Sequence, residues 1–307
     1  MSSSGRLVSV IIPTYNSWNT LQACIKSIYQ QSLKPLEIIV VNNASTDNTT
    51  KKITKDFPQV KFMTLNYNLG VTGGRNIGID QSSKRSDYLL FFDHDMVADK
   101  KMLENLVAAV KSNKAVGITT PKIYYNRDRK RIWAAGTNIN LWTGQILFRG
   151  GRDVGQYEKI EEVQVAPAAI LVKRAVLKKV TRFDNRYFAT YEDTDFCFRA
   201  KKNGFVTLYS PNAIAYHNIS PLKKDERVRL ISRSFWIGRN RVIFMRDFGK
   251  NFYIFLFFSP VYLIYFAVIC FKEKNFTGFM QFCRGYMEGV TSPRRYGNIL
   301  KTNKDLN

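Results

Sequence analysis

In roughly the first ninety residues, short apolar runs are separated by longer segments, one of which has helical periodicity. This pattern restricts the folds that the chain can adopt. The runs lie at residues 7–12, 37–41, 60–65 and 88–92, and they are rich in β-branched and aromatic residues, as strands are. Between the first two runs, residues 18–30 repeat apolar side chains at helical spacing. Because strands that alternate with helices build mostly parallel sheets covered on both faces, the sequence predicts an α/β fold.

The fourth run ends in Asp93-His94-Asp95, which places two carboxylates where a buried strand enters a loop. Ligands of open α/β sheets bind at the carboxyl ends of the strands. Two acidic side chains one residue apart can share a divalent cation, and that cation keeps coordination positions for substrate phosphates. Asp-x-Asp occurs often in loops by chance, so the meaning of this triplet depends on the motifs before and after it.

Four further motifs accompany the triplet along the chain. The four are Val-Ile-Ile-Pro-Thr-Tyr-Asn at 10–16, Ile-Val-Val-Asn-Asn-Ala-Ser-Thr-Asp at 39–47, Asn-Leu-Gly-Val-Thr-Gly-Gly-Arg-Asn-Ile-Gly at 68–78 and Tyr-Glu-Asp-Thr-Asp-Phe-Cys-Phe-Arg at 191–199. Together with the triplet, these motifs resemble those of the family 2 glycosyltransferases, and all five stand in the family's order. The resemblance implies a GT-A fold and inverting sugar transfer, and the third and last motifs of the chain are most similar to the rhamnosyltransferase-like branch.

The resemblance places a nucleotide-sugar donor in the loops after the first strands. Pro13, Thr14 and Tyr15 would line the nucleotide pocket, with Tyr15 against the base. Asn42 or Asn43 would hydrogen-bond the polar edge of the base, since an amide offers both a donor and an acceptor. Aspartate is commoner at these two positions in the family, so the base is left open between uracil and thymine, as UDP- or dTDP-linked donors.

The other donor-binding residues follow from the same resemblance. Arg75 would face the diphosphate, with Asn76 beside it. His94 lies between two aspartates and should point to the opposite side of the strand end. The full set of these donor-binding residues is Gly74, Arg75, Asn76, Asp93, His94 and Asp95.

A divalent metal, Mg²⁺ or Mn²⁺, is the cofactor that the resemblance implies. Asp93 and Asp95 would hold it, and His217 after a later strand would be the third protein ligand. The ion would stabilise the charge that develops on the diphosphate leaving group. A lone histidine at a strand end is more often a surface or packing residue, so that interpretation of His217 stays open.

Inverting transfer requires a base that takes the proton of the acceptor hydroxyl, and Glu192-Asp193 supplies two candidates. One carboxylate suffices, and the resemblance favours Asp193 over Glu192. Asp195 and Arg199 have the four-residue spacing of a helical ion pair, which predicts that a helix begins here. All three acids can therefore also be read as first-turn residues favoured by the helix dipole.

Charge and cysteine content narrow the partners and the compartment. With 47 Lys and Arg against 24 Asp and Glu, the net charge is +23, which suits an acidic partner. Nucleic acid is not expected, because no recognised nucleic-acid module appears. The four cysteines show no paired spacing and predict free thiols in a reducing compartment. Residues 1–6 lead directly into the first apolar run, so no secretory signal is expected.

The chain changes character near residue 220, which predicts a catalytic domain over 1–220 and a basic, apolar, helical extension over 221–307. Residues 223–250 hold nine basic and three acidic side chains, and residues 252–271 hold no formal charge. Twenty helical residues reach about 30 Å, close to the thickness of a bilayer core. An anionic membrane surface is therefore an expected partner. Spanning, re-entrant and interface-lying helices stay open, as do a soluble docked helix and a dimer contact.

The rest of the extension is also predicted from pattern. Residues 275–290 keep an apolar stripe at helical spacing, and residues 291–307 are polar and expected to be mobile. Gln281 to Gly285 is similar to the Gln-x-x-Arg-Trp motif of processive synthases but lacks the tryptophan. Addition of a single sugar is therefore expected.

Together these features predict a metal-dependent inverting glycosyltransferase at the cytoplasmic face of the membrane. It would move one sugar from a nucleotide-diphosphate donor to a lipid-linked or cell-surface glycan acceptor. Transfer to polyprenyl phosphate, as in the dolichol-phosphate mannosyltransferase-like branch, is the nearest alternative. A basic nucleic-acid-binding protein is the alternative from another class. The oligomeric state stays open.

Overall fold

The computed structural model describes residues 8–292, and the chain divides into two compact units. The first comprises Met1–Ile139 with Ile146–Glu226, and the second comprises Asn140–Gln145 with Arg227–Asn307. Residues 1–7 and 293–307, which include the segment before the first strand and most of the polar end, lie outside the described residues.

The strands carry most of the first unit. They are β1 (Val8–Thr14), β2 (Glu37–Asn42), β3 (Lys61–Thr64), β4 (Tyr88–Phe92), β5 (Met96–Ala98), β6 (Val116–Tyr125), β7 (Asp128–Ala134), β8 (Thr137–Ile139), β9 (Ile146–Phe148), β10 (Gly151–Arg152), β11 (Glu161–Glu162), β12 (Ala169–Lys173) and β13 (Val206–His217). The helices are α1 (Trp18–Tyr29), α2 (Thr49–Asp56), α3 (Gly70–Gln81), α4 (Met102–Lys111), α5 (Arg174–Val180), α6 (Glu192–Lys202), α7 (Lys223–Ser232), α8 (Ser234–Phe248), α9 (Phe252–Lys272) and α10 (Phe276–Thr291).

The central sheet has the order β10-β7-β6-β12-β4-β1-β2-β3. Strands β3, β2, β1 and β4 pair in parallel, as the alternation of strands and helices predicts. Strand β12 enters antiparallel between β4 and β6, and β13 runs parallel to β6. The predicted α/β class is confirmed, with antiparallel ladders added on the β6 side of the sheet.

Both faces of the parallel strands are buried, and alternate residues enter two separate cores. In β1, Val10 and Ile12 pack with α1 and α4, while Ile11 packs on the opposite face with α5 and α6. In β4, Leu90 enters the same core as Val10 and Ile12, and Phe91 enters the same core as Ile11. Successive side chains of a strand point to opposite faces, so an unbroken apolar run fills both cores.

Helix α3 carries several glycines because it lies very close to β1. A Cβ added at Gly74 would lie 2.8 Å from Pro13 Cβ, and one added at Gly78 would collide with the side chain of Ile11. Glycine is unfavourable inside helices by about 1 kcal/mol relative to alanine. Here the close packing of helix on strand outweighs that preference, and it brings the N-terminal half of α3 against the carboxyl end of β1.

This contact gives a stability prediction for Gly78→Ala. In an open helix the change would stabilise the fold, but here the new methyl group meets Ile11, a residue with no exposed surface. We expect the free energy of unfolding to fall by about 1–3 kcal/mol, the usual cost of overpacking a core. Urea unfolding of the two proteins measures the change, and equal or higher stability of the variant would contradict the packing argument.

The second unit is helical and contains α8, α9, α10 and most of α7. Its core joins Ile231 and Ile237 to Phe266 of α9 and Phe282 of α10. Among residues 8–292, α9 is the one helix long and apolar enough to cross a membrane, a property it shares with buried helices of soluble proteins and with signal sequences.

Candidate active site

The polar motifs converge at one edge of the central sheet. Strands β1, β2 and β4 are parallel, so their carboxyl ends lie at the same edge. Strand β12 pairs antiparallel with β4 and begins there, and the backbone N–H of Asp93 donates to the carbonyl of Ala168 at 3.1 Å. Ala168 N–H in turn donates to Asp193 Oδ2 at 3.2 Å. The start of α6 is thereby held beside the Asp-x-Asp loop.

Arg75 forms the centre of this edge. Its side chain has no exposed surface, and its Nη2 donates to Asp93 Oδ1 at 2.9 Å. Its Nη1 donates to Asp193 Oδ1 and lies 3.8 Å from Glu192 Oε1. The ring of Phe183 lies 5.1 Å from the guanidinium carbon. We call Arg75, Asp93, Glu192 and Asp193 the arginine cluster. The resemblance implies that Arg75 faces a diphosphate, and in this structure its guanidinium contacts three carboxylates.

The ionisation of the arginine cluster follows from its burial. Burial alone would lower the pKa of Arg75, but the charges of Asp193 and Asp93 outweigh it and raise that pKa further above its usual range. Burial and the neighbouring charge of Asp193 raise the pKa of Glu192 to about 8. Burial also raises the pKa of Asp193, and the contact with Arg75 limits that rise. The contact with Arg75 and the N–H of Ala168 both favour the ionised form of Asp193, while Glu192, with a pKa of about 8, keeps its proton at neutral pH.

Asp95 pairs with His217 next to this cluster. His217 Nε2 lies 3.2 Å from Asp95 Oδ2, and the edge of the Trp133 ring system packs on the imidazole at 4.4 Å between centroids. Burial opposes ionisation of Asp95, but the charge and hydrogen bond of His217 lower its pKa well below the usual range. The Nδ1 atom of His217 is buried without a hydrogen-bond partner.

The residues predicted to bind metal form this pair rather than a group of three. Asp95 and His217 face each other, but Asp93 turns its carboxylate to Arg75. Within residues 8–292, no group of three or more His, Cys, Asp and Glu side chains is arranged to hold a metal ion. A carboxylate oxygen and an imidazole nitrogen are donors that a divalent ion such as Mn²⁺ accepts. The pair Asp95 and His217 therefore fits such an ion, with Asp93 available only on leaving Arg75.

The predicted nucleotide residues line the neighbouring loops. Pro13 and Thr14 are the last two buried residues of β1, and Tyr15 follows them with 45% of its surface exposed. Asn42 is fully buried, donates to Thr50 Oγ1 at 3.0 Å and accepts from the backbone N–H of Ser45 at 3.1 Å. Its amide therefore holds the loop after β2. The exposed ring of Tyr15 is the group that is open to a base.

The remaining predicted residues have structural contacts of their own. Asn43 Oδ1 accepts from the backbone N–H of Leu69 at 3.3 Å. Asn76 is buried and clamps the backbone of Phe183, donating to its carbonyl at 3.0 Å and accepting from its N–H at 2.9 Å. His94 Nε2 lies 2.7 Å from Ser17 Oγ. Gly74 gives Pro13 and Asn43 their close approach to α3.

Two features of this edge were not predicted from the sequence. Asn16 Oδ1 accepts from the backbone N–H groups of Thr46 and Asp47 at 2.8 and 3.3 Å, which ties the loop after β1 to the loop after β2. Thr190 and Tyr191 both have a φ of 65°, in the left-handed region, directly before Glu192. Residues other than glycine adopt such φ angles at a cost in free energy, and this backbone strain often occurs at functional sites.

Comparison with known proteins identifies the family. The family model "Glycosyl transferase family 2" matches residues 9–181. The amylovoran biosynthesis glycosyltransferase AmsB of Erwinia amylovora is 26% identical over 244 residues, which are 75% of this chain and 76% of that protein. A GalNAc(5)-diNAcBac-PP-undecaprenol beta-1,3-glucosyltransferase of Campylobacter jejuni is 40% identical over 92 residues, 29% of each chain.

The fold is also similar to that of a solved structure. S. aureus TarS 1-349 in complex with UDP superposes with a TM-score of 0.53 at 22% identity, covering 78% of this chain and 70% of that chain. This likeness shows the GT-A type fold. Since the family model matches more than half of the residues, the chain belongs to the family 2 glycosyltransferases.

Proposed function

We propose that this protein is an inverting, metal-dependent glycosyltransferase that moves a single sugar from a UDP- or dTDP-linked donor to a lipid-linked or cell-surface glycan acceptor. The observation that carries the proposal is the position of Asp193 at the sheet edge where β1, β2 and β4 end. There Asp193 is held by Arg75 and by the N–H of Ala168. The motif at 191–199 supports a hexosyl donor of the rhamnosyl type.

Asp193 would act as the base. Inverting transfer is a single displacement, in which the acceptor oxygen attacks the anomeric carbon from the face opposite the diphosphate. The bond to the diphosphate breaks as the new glycosidic bond forms, and one carboxylate takes the hydroxyl proton. Asp193 suits this step because the contact with Arg75 favours its ionised form and the Ala168 N–H fixes one of its oxygens. Glu192 lies beside it and is neutral at pH 7.

Asp95 and His217 would hold the divalent ion, and Asp93 would join them on leaving Arg75. When bound, the ion supplies positive charge that stabilises the departing diphosphate. Tyr15 would pack on the base, because its ring is exposed directly after β1. In this arrangement the residues that hold the leaving group lie after β1 and β4 and at the end of β13, whereas the base lies in the first turn of α6.

The acceptor side of the proposal rests on a relative and on composition. The name of the C. jejuni relative states an acceptor carried on PP-undecaprenol. This chain has a net charge of +23 and the apolar helix α9, which suit an anionic membrane surface where such an acceptor would lie. The proposed location is the cytoplasmic face of the cell membrane.

Calorimetric titration with UDP and with dTDP, each with and without Mn²⁺, tests the donor site. We expect one of the nucleotides to bind more tightly with Mn²⁺ than without it. If a folded protein bound neither nucleotide under any of these conditions, the proposed donor chemistry would be wrong.

Asp95→Ala tests the metal site separately. The change removes one of the two facing metal donors, so we expect the Mn²⁺-dependent gain in nucleotide affinity to fall by at least about tenfold. Binding without Mn²⁺ should change little. Asp56→Ala is the matched control, because Asp56 is an exposed aspartate at the end of α2. An Asp95→Ala protein that kept the full Mn²⁺ effect would remove Asp95 from the metal site.

A further inference from the structure

Helix α9 contacts α8 at its start and middle, and the residue after it contacts α7. At its start, the ring of Phe252 packs 5.3 Å from the guanidinium carbon of Arg246. At its middle, Tyr262 packs 3.6 Å from that of Arg241. Just beyond its end, Glu273 accepts from Arg227 Nε at 2.5 Å. Arginines of α7 and α8 therefore contact α9 near its start, at its middle and just beyond its end.

One side of α9 is exposed and apolar. We call this side the outer face and define it by the residues Tyr253, Phe257, Val261, Ile264, Val268 and Phe271. These residues recur every three or four positions, so they lie along one side of the helix. Between 46% and 85% of the surface of each is exposed. The opposite side, which includes Phe255, Ser259 and Phe266, is buried within the second unit.

Helix α10 continues this apolar surface. Its glycines at 278, 285 and 289 pack on α7 and α8, and Phe279 and Phe282 pack with α9. Successive residues of a helix are about 100° apart. On the helical wheel of α10, the exposed residues Phe276, Met280 and Met287 therefore form a stripe next to the residues that contact α9. The polar stripe of Thr277, Gln281, Arg284 and Glu288 lies on the other side, next to α8.

The charges beside α9 disfavour a path of this helix through the bilayer. Arg284 is exposed half a turn from Phe282, and Phe282 stacks on Phe266 in the interior of α9. The ion pair of Arg239 and Glu288, at 2.7 Å, leaves 47% of Glu288 exposed. If α9 crossed a bilayer, α8 and α10 would cross with it, and these exposed charges would enter hydrocarbon. Such charges are strongly unfavourable there unless they face a protein interior or water.

We propose that α9 lies in the plane of the membrane interface, with its outer face and the apolar stripe of α10 in contact with an anionic lipid surface. The inference rests on the proposed function at a membrane and deepens it. Charge supports lipid as the occupant, because exposed Lys250 precedes the helix while exposed Lys272 and Lys274 end and follow it. Cations at both ends suit a helix whose two ends stay on the same side of an anionic leaflet.

A double-cysteine variant, Lys250→Cys/Lys272→Cys, distinguishes this arrangement from a spanning helix. The full chain is reconstituted into sealed vesicles of phosphatidylcholine and phosphatidylglycerol, and a membrane-impermeant maleimide-polyethylene glycol is added outside. An in-plane helix places both cysteines on one side, so each molecule gains two labels or none, whichever way it is oriented. A spanning helix gives one label per molecule until detergent is added, and that pattern would overturn the proposal. Wild type measures the background of Cys283, since Cys24, Cys197 and Cys270 are buried.

Vesicle flotation tests the lipid surface itself. Phe257→Glu/Ile264→Glu places two charges on the outer face, and we expect binding to the same vesicles to weaken by about tenfold or more. Thr277→Glu/Gln281→Glu adds the same charge to the polar stripe of α10 and should bind within a few-fold of wild type. Equal binding by both variants, or wild type that self-associates in sedimentation and ignores vesicles, would overturn the proposal. Nucleotide titration of the same samples tests the donor site independently.

Discussion

Asp193→Asn should lower the rate of sugar transfer by about 100- to 10,000-fold, the usual contribution of a general base. The amide keeps the size of the carboxylate but cannot take the proton of the acceptor hydroxyl. Donor affinity should remain, because the residues proposed to hold the nucleotide and the metal lie after β1 and β4 and at the end of β13, outside α6. The measurement is kcat with saturating donor and acceptor, together with calorimetric titration of the nucleotide.

Glu192→Gln is the matched control for Asp193→Asn. Burial and the charge of Asp193 raise the pKa of Glu192 to about 8, so this side chain is neutral at pH 7 and glutamine resembles it. We expect kcat within about tenfold of wild type at pH 7. Above pH 8, Glu192 ionises in the wild type only, and the two pH–rate profiles should separate there. If Glu192→Gln lost turnover and Asp193→Asn kept it, the roles of the two carboxylates would be reversed.

Arg75→Ala should lower the free energy of unfolding by about 3–5 kcal/mol, the usual cost of removing one partner from a buried ion pair. The arginine side chain is fully buried, and its loss leaves Asp93, Glu192 and Asp193 together without a cation. Urea unfolding at pH 8 measures the change. Arg182→Ala is the control, because the pair of Arg182 and Asp80 is 43% and 41% exposed and should contribute at most about 1 kcal/mol.

The loss of stability in Arg75→Ala should be larger at pH 8 than at pH 5. Without the guanidinium, like charges and burial raise the carboxyl pKa values further, and protonation in the folded state then stabilises it. The variant should therefore gain stability relative to wild type as the pH falls from 8 toward 5. An equal loss at both pH values would mean that the cost comes from lost packing against Phe183 rather than from unpaired charge.

Much of the fold was predictable because it is encoded in local patterns. The apolar runs predict β1 to β4, and the four-residue spacing of Asp195 and Arg199 predicts a helical ion pair that the structure confirms at 2.6 Å. The end of β4 places Asp93 and Asp95 at the sheet edge for the same reason. These features depend on residues that are close in sequence. Hydrophobic periodicity and secondary-structure propensity are informative over such short distances.

The arginine cluster was not predictable, because its members come together only in the folded chain. Arg75 and Asp193 are separated by 118 positions, and nothing in the sequence near Arg75 indicates that three carboxylates surround it. The helical state of the glycine-rich segment 70–81 also depends on tertiary packing, since glycine disfavours helices on its own. Contact with Ile11 and Pro13 decides the outcome there.

The position of β12 in the sheet affects how the protein folds during its synthesis. Strands β4 and β6 are both complete by residue 125, but β12, which fills the gap between them, ends only at Lys173. During synthesis, one edge of the apolar strand β4 therefore stays unpaired from Phe92 until β12 is complete at Lys173. Unpaired apolar edges are sites of aggregation and of chaperone binding in nascent chains. Truncated chains that end between residues 125 and 168 should accordingly be insoluble, whereas a chain that reaches Glu226 should fold as the first unit.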